Sequence, residues 1–391
     1  MKRVPPLDGV RGVAILLVLV WHYVRCQIPY TPKSLSLYVA EALSTTWSGV
    51  DLFFVLSGFL IAGILLDHRN TSNFFRVFYL RRVCRILPLY FLLFGLFLCL
   101  MATPLFNAPA FRWLFRAPLP LWSYASFTQN FFMGARRSFG PMWLGITWSL
   151  AIEEQFYLFI PLLVYVLPRR AFAYVLIAGI LAAPIIRCAS PGFHAIVYTP
   201  WRADSLFSGA LLAVLVRWHP FVSAMRQYRR FPLLLLVCFF LGTVVLTFEP
   251  GSFGDFHYFW LAGLYSAFVL VAFLGSEPVL TRVLASPVLV WFGQLSYGIY
   301  MFHQAISGLI HGLLRHSPPY IHTLYDAGVT LLALCLTLVL ATLSYHFFER
   351  PLLRFGHRFQ YLPGNQGDSA WEALPDRPNQ TIRPTAGRSD V

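Results

Sequence analysis

The stretch LDGVRGVAILLVLVWHY (Leu7–Tyr23) is apolar enough to cross a bilayer, yet it carries Arg11 near one end and His22 near the other. At about 100° per residue, eleven steps make three helical turns with about 20° left over, which points both side chains the same way about 16 Å apart. An ionisable group at bilayer depth is expensive unless it faces a cavity or a partner. The pair therefore reads as two stations on one wall of a polar interior. Lys2 and Arg3 give this segment the basic start of a secretory leader, but Trp21, His22, Tyr23 and Arg25 stand where a signal peptidase needs small residues, so the helix is expected to remain.

The rest of the chain extends the membrane reading. Of 391 residues, 58% are hydrophobic and 12% charged, and the mean hydropathy is +0.63, whereas a soluble domain carries about a quarter charged residues. Runs of about 20 apolar residues give ten candidate spans: 10–26, 48–66, 86–103, 146–167, 171–187, 202–218, 231–248, 257–275, 288–311 and 326–348. The fold class is thus an all-α polytopic membrane protein of about ten helices around a polar central cavity. The second, fourth, sixth and eighth loops collect Arg69, Arg76, Arg81, Arg82, Arg85, Arg169, Arg170, Arg217, Arg226, Arg229, Arg230 and Arg282. By the positive-inside rule this places both termini in the cytoplasm. Residues 1–355 form the membrane domain, and 356–391 read as a disordered polar tail. The formal charge of +14 is dispersed between apolar spans, which suits anionic lipid or an anionic ligand and argues against nucleic acid. There are no CxxC pairs and no HExxH, so no metal is expected; Cys26 and Cys188 share the outer side, where a disulfide could form.

Helix direction sorts the polar residues into two layers. Toward the outer ends lie His22, Asp51, Glu153, Glu154, Arg202, Asp204 and His303; toward the inner ends lie Arg11, the Arg81, Arg82 and Arg85 group, and Glu349 with Arg350. Forked guanidinium donors match phosphate oxygens, and a histidine among carboxylates suits proton transfer. A ligand with a phosphate-rich head and a long thin arm ending in a reactive group fits this span, and acyl-coenzyme A is such a ligand. Plainer readings exist for each group. The arginines before span three could anchor lipid headgroups, Glu349 and Arg350 could form an interfacial salt bridge, Asp51 could bond a neighbouring helix, and His303 could be a core histidine. Glu153 and Glu154, being adjacent, lie about 100° apart, so one of them faces away from any common cavity.

Seven motifs in order resemble the acyltransferase 3 family of bacterial membrane acyltransferases. Arg11 and His22 are similar to its R-x10-H signature, GVDLFFVLSGFLIAG (Gly49–Gly63) to its second-span motif, and RRVCRILPLY (Arg81–Tyr90) to its basic lead-in to span three. TWSLAIEEQFYLFIP (Thr147–Pro161), RADSLFSGALLA (Arg202–Ala213), SYGIYMFH (Ser296–His303) and SYHFFERP (Ser344–Pro351) resemble the remaining landmarks. The resemblance implies transfer of an acyl group, commonly acetyl, from cytoplasmic acyl-coenzyme A to a hydroxyl of an envelope carbohydrate such as O-antigen, exopolysaccharide or a lipid-linked sugar, in the bacterial inner membrane. It implies that His22 is the general base or a transient acyl carrier, with Glu153 as a second catalytic candidate. Arg11, Arg82 and Arg85 then hold the donor, and Asp51, Arg202, Asp204 and His303 bind acceptor or support the site. Some members append an outer hydrolase-like domain, and none is expected here. Transfer is therefore expected to be completed by the membrane region alone or with a glycan-assembly partner, while oligomeric state stays open. Two other classes compete on the residues alone: a secondary transporter or flippase of a glycan, and an idle scaffold for envelope assembly. The paired, Gly/Pro-interrupted helices of transporters are not found.

Overall fold

Every apolar run of the sequence is helical, and no β-strand occurs among the described residues, which are 4–29, 34–104, 108–116, 118–248 and 256–364 of a computed structural model. Lys2, Arg3, Lys33 and the tail from 365 to 391 lie outside them. Helix α1 (Pro5–Val20) passes without interruption into a π turn, Trp21–Arg25, in which the Cys26 N–H reaches back five residues to the Trp21 carbonyl. After α2 (Leu35–Ala42) come the long helices α3 (Gly49–His68) and α4 (Phe74–Met101). The long third loop folds into four short helices: α5 (Arg112–Phe115), α6 (Leu121–Ala125), α7 (Gln129–Arg136) and α8 (Met142–Gly145). They lead into α9 (Thr147–Val166) and α10 (Arg169–Ala189), then the short α11 (Phe193–Val197). Next are α12 (Ala203–Leu215), α13 (His219–Gln227), α14 (Phe231–Phe248) and α15 (His257–Leu274). The chain closes with α16 (Pro278–Leu284), α17 (Pro287–Arg315), α18 (Leu324–Ser344), a second π turn (Tyr345–Glu349) and α19 (Arg350–His357).

Among the described residues seven helices are long and apolar enough to cross a membrane, and two bent pairs raise the number to nine. Pro200–Leu215 turns by 91° into α13, and α16 turns by 51° into α17. Proline explains where the bent pairs restart. Pro220 and Pro287 occupy the first turns of α13 and α17, where their missing N–H removes no intrahelical bond. The seventh expected span is a shorter apolar helix over Phe231–Val245.

Small residues set the closest packing. Helix α3 lies against α12 so tightly that a Cβ on Gly58 would overlap the Leu206 carbonyl and one on Gly209 the Val55 carbonyl. In a bilayer, where apolar burial cannot distinguish helix from lipid, such close backbone approach drives association. Helix α17 packs on both α1 and α18, so the first and last long helices meet across it.

The expected domain boundary at 355 falls inside α19, and the chain beyond it is placed as far as Gly364. The Ser72 N–H donates to the Leu362 carbonyl at 3.1 Å, the Leu362 N–H to Asn73 Oδ1 at 3.0 Å, and Asn73 Nδ2 to the Gln360 carbonyl at 2.9 Å. Residues 358–364 thereby form a strap across the turn between α3 and α4. Cys26 and Cys188 are both free thiols, so the disulfide considered above is not made.

Candidate functional site

A cavity of about 300 Å³ runs between α1, α3, α4, α9 and α17 and is closed at one end by α19 and the strap. Arg11 reaches it from α1, Arg81, Arg82 and Arg85 from α4, and Glu153 and Tyr157 from α9. Positions 81, 82 and 85 share one side of a helix because i, i+1 and i+4 span little more than a quarter turn. Four guanidiniums thus meet a single lining carboxylate. That carboxylate is already engaged: the Tyr157 hydroxyl donates to Glu153 Oε2 at 3.0 Å and accepts from Ser57 Oγ at 2.5 Å. Arg11 pairs with Asp8 at 3.0 Å, and Arg81 donates from Nε and a terminal nitrogen to the Phe359 carbonyl. Among the described residues neither Arg82 nor Arg85 has an ion pair, and the buried Arg82 Nε has no hydrogen-bond partner. Low-dielectric walls carrying one sign of charge focus the field on whatever occupies the space between them. The cavity lining carries a surplus of positive charge.

Glu153 belongs to this chamber, although its position toward the outer end of its span grouped it with His22. Six residues into α9 it lies about 9 Å down the helix, deep enough to face α4. Glu154 does not line the cavity, which settles how the adjacent pair divides.

His22 lies elsewhere. It is not among the lining residues, whereas Arg11 is. Its ring packs on that of His303 with centroids 4.7 Å apart, and His303 packs on Tyr300 at 5.6 Å. Tyr300 is the residue that touches both regions. It lines the cavity, donates its hydroxyl proton to the Ile146 carbonyl at 2.8 Å and accepts from Ser149 Oγ at 2.6 Å. Both imidazoles donate from Nδ1 to backbone carbonyls, His22 to Val18 at 3.0 Å and His303 to Tyr300 at 2.6 Å. A carbonyl only accepts, so Nδ1 carries the proton and each Nε2 is left with a free lone pair. The Nε2 of fully buried His303 has no partner. Arginine chamber and histidine pair are therefore linked through Tyr300, which lines the one and contacts the other.

A family model described as an acyltransferase domain, Acyl_transf_3, matches residues 5–346. The chain belongs to the acyltransferase 3 family. It is 26% identical over 389 residues to a Staphylococcus aureus (strain COL) protein named "Putative O-acetyltransferase SACOL0978", covering 91% of this chain and 58% of that protein. It is also 26% identical over 397 residues to the O-acetyltransferase OatA of Staphylococcus aureus (strain NCTC 8325 / PS 47), covering 95% of this chain and 61% of OatA. The chain spans about three-fifths of the length of these curated relatives. No solved structure gives a significant match. The molecule is a multi-pass membrane protein carrying an acyltransferase domain.

In this acyltransferase domain Asp51, Arg202 and Asp204 form a cluster of their own. Arg202 is bonded to Asp51, which also accepts from Ser205 Oγ at 2.9 Å, and Asp204 pairs with Arg187 at 2.5 Å. Both guanidiniums sit over the ring of Tyr258, and all four charged side chains are at most 1% exposed. The cluster ties α3, α10, α12 and α15 together. Removing one partner of a buried pair leaves the other charge uncompensated, at a cost of about 3–5 kcal/mol. Asp51→Ala is accordingly expected to lower the thermal unfolding temperature of the detergent-solubilised protein by several degrees. An unchanged melting curve with lost acyl transfer would place Asp51 in the chemistry instead. Glu349 accepts from Ser344 Oγ at 2.9 Å, and among the described residues it makes no salt bridge with Arg350.

Four participants escaped sequence reasoning. Arg187 was readable as a lone charge at the end of an apolar run. Tyr157, Tyr300 and Tyr361 carried no comparable signal, because aromatic residues near membrane interfaces are expected for anchoring alone.

Proposed function

We propose that this protein transfers an acetyl group from cytoplasmic acetyl-coenzyme A to a hydroxyl of an envelope carbohydrate on the far side of the bacterial inner membrane. The observation that carries the reading is the surplus of guanidiniums in the cavity, with Arg82 and Arg85 free of ion pairs. The names of the O-acetyltransferase relatives favour acetyl as the group and oxygen as its destination. Ten crossings with both termini in the cytoplasm would put the arginine layer on the donor's side. Arg11, Arg82 and Arg85 hold phosphate oxygens, and the pantetheine arm extends past Tyr157 toward Tyr300.

At the far end His22 Nε2 takes the proton of the acceptor hydroxyl as its oxygen attacks the thioester carbonyl. The new C–O bond forms, the C–S bond breaks, and the departing thiolate is protonated to free coenzyme A. An acyl-imidazole route divides the same exchange into two steps and would leave a hydroxylamine-labile label on His22. Either course requires the thioester to pass the phenol that links chamber and histidine pair. Tyr300→Phe removes both of its hydroxyl bonds while keeping the ring. It is therefore expected to change the turnover number several-fold with little change in donor affinity, as a gating residue should. A Tyr300→Phe enzyme with parental turnover would rule out passage at this point.

The test of the whole reading is label transfer. Purified protein in lipid, given radiolabelled acetyl-coenzyme A and envelope glycan, should move label to the glycan, identified by mass spectrometry of the product. Absence of transfer with bound donor would refute it.

A further inference from the structure

The family match ends at residue 346, yet Leu353, Gly356, His357 and Tyr361 line the arginine cavity. The lip of the chamber is therefore built from chain beyond the matched region. The strap that brings Tyr361 there is held at several points. Besides its backbone bonds to Ser72 and Asn73, Arg81 donates twice to the Phe359 carbonyl, Gly364 approaches Asn70 so closely that a Cβ would overlap its carbonyl, and Thr71 bridges Pro363. The Tyr361 ring stacks on His68 with centroids 3.9 Å apart and lies 5.1 Å beneath the Arg81 guanidinium. So much fixes the ring, while its hydroxyl, buried in the cavity wall, has no hydrogen-bond partner. Arg82 Nε, facing the same chamber, is likewise buried and unpartnered. Two orphaned donors in the wall of one arginine-rich cavity call for an acceptor, because a buried polar group left unmatched costs more than a made bond returns.

We propose that Tyr361 is a donor-binding residue, its hydroxyl donating to a phosphate oxygen of the anionic ligand that Arg82 grips. The inference rests on the reading of the cavity as the donor site and adds a ligand contact from outside the matched family region. Burial holds the Tyr361 phenol above its usual range, against the opposing pull of Arg81 and Arg82. It therefore stays protonated, and so a donor, at any physiological pH.

The test is isothermal titration of acetyl-coenzyme A, coenzyme A and phosphate-free acetyl-pantetheine into the full chain in neutral detergent. Tyr361→Phe keeps the stack on His68 and the contact with Arg81 and loses only the hydroxyl. It should weaken both nucleotide ligands about tenfold or more, the effect of one hydrogen bond to a charged acceptor, and leave acetyl-pantetheine unchanged. The double variant Arg82→Ala with Arg85→Ala serves as the reference for the cavity itself. If it loses affinity while Tyr361→Phe binds as the parent does, the tyrosine proposal fails and the cavity reading stands. If neither changes, both fail. Equal loss for acetyl-pantetheine would mean that the hydroxyl does not meet phosphate. Repeating the titrations in micelles containing phosphatidylglycerol separates donor from headgroup: a Tyr361→Phe effect seen only with that lipid would assign the contact to the membrane and overturn the proposal.

Discussion

Removing the guanidiniums of Arg82 and Arg85 together is expected to weaken donor binding by about 100-fold. Hydrogen bonds to charged groups each contribute about 1.5–3 kcal/mol, and about 1.4 kcal/mol is a factor of ten in affinity. Two such contacts that are not fully additive give this order of magnitude. Among the described residues neither guanidinium has an ion pair to lose, and Glu153 keeps its bond from the Tyr157 hydroxyl, so the fold should survive. Replacement by lysine keeps the charge but not the planar fork, and should recover part of the affinity. Titration with acetyl-coenzyme A distinguishes the outcomes. Parental affinity in the alanine double variant would make the pair lipid anchors.

The second large effect concerns His22. If its Nε2 accepts the acceptor's proton, His22→Ala should reduce acetyl transfer by about 10²- to 10⁴-fold, the range for general acid–base groups. Donor affinity should be nearly unchanged, because the imidazole does not line the arginine cavity. The neighbouring His303 makes the experiment sharper, since a second imidazole 4.7 Å away cannot reach the same point without moving its carbonyl-bonded ring. Label-transfer rates at saturating donor measure the loss. Undiminished turnover in His22→Ala would remove the proposed chemistry.

How far the sequence reached depended on the kind of coordinate in question. Depth along a helix is nearly linear in residue number. The apolar runs therefore located the helices, and the arginines in the first half of α4 line the same cavity as Arg11. Azimuth between helices is not written in one dimension. Nothing in the string indicated that Asp51 and Asp204 would turn toward Arg202 and Arg187 and away from the cavity. Nor did it indicate that Glu153 would face Arg82 and His22 would not. The 91° and 51° bends fall at the ends of expected spans, where Pro220 and Pro287 mark the restart, but their angles are not written in the composition. The strap was illegible for a different reason. Its own side of the hydrogen bonds to Ser72 and Asn73 is made by backbone groups of residues 360 and 362, which every sequence possesses.

The π turn that carries His22 gives the opening periodicity a different meaning. A five-residue hydrogen-bonded loop holds one residue more than the regular spiral would, so the segment behaves like a ruler with a stretched final division. Shortening the chain there by a single amino acid would relax it into an ordinary spiral that still spans the bilayer. It would also swing a different side chain toward His303.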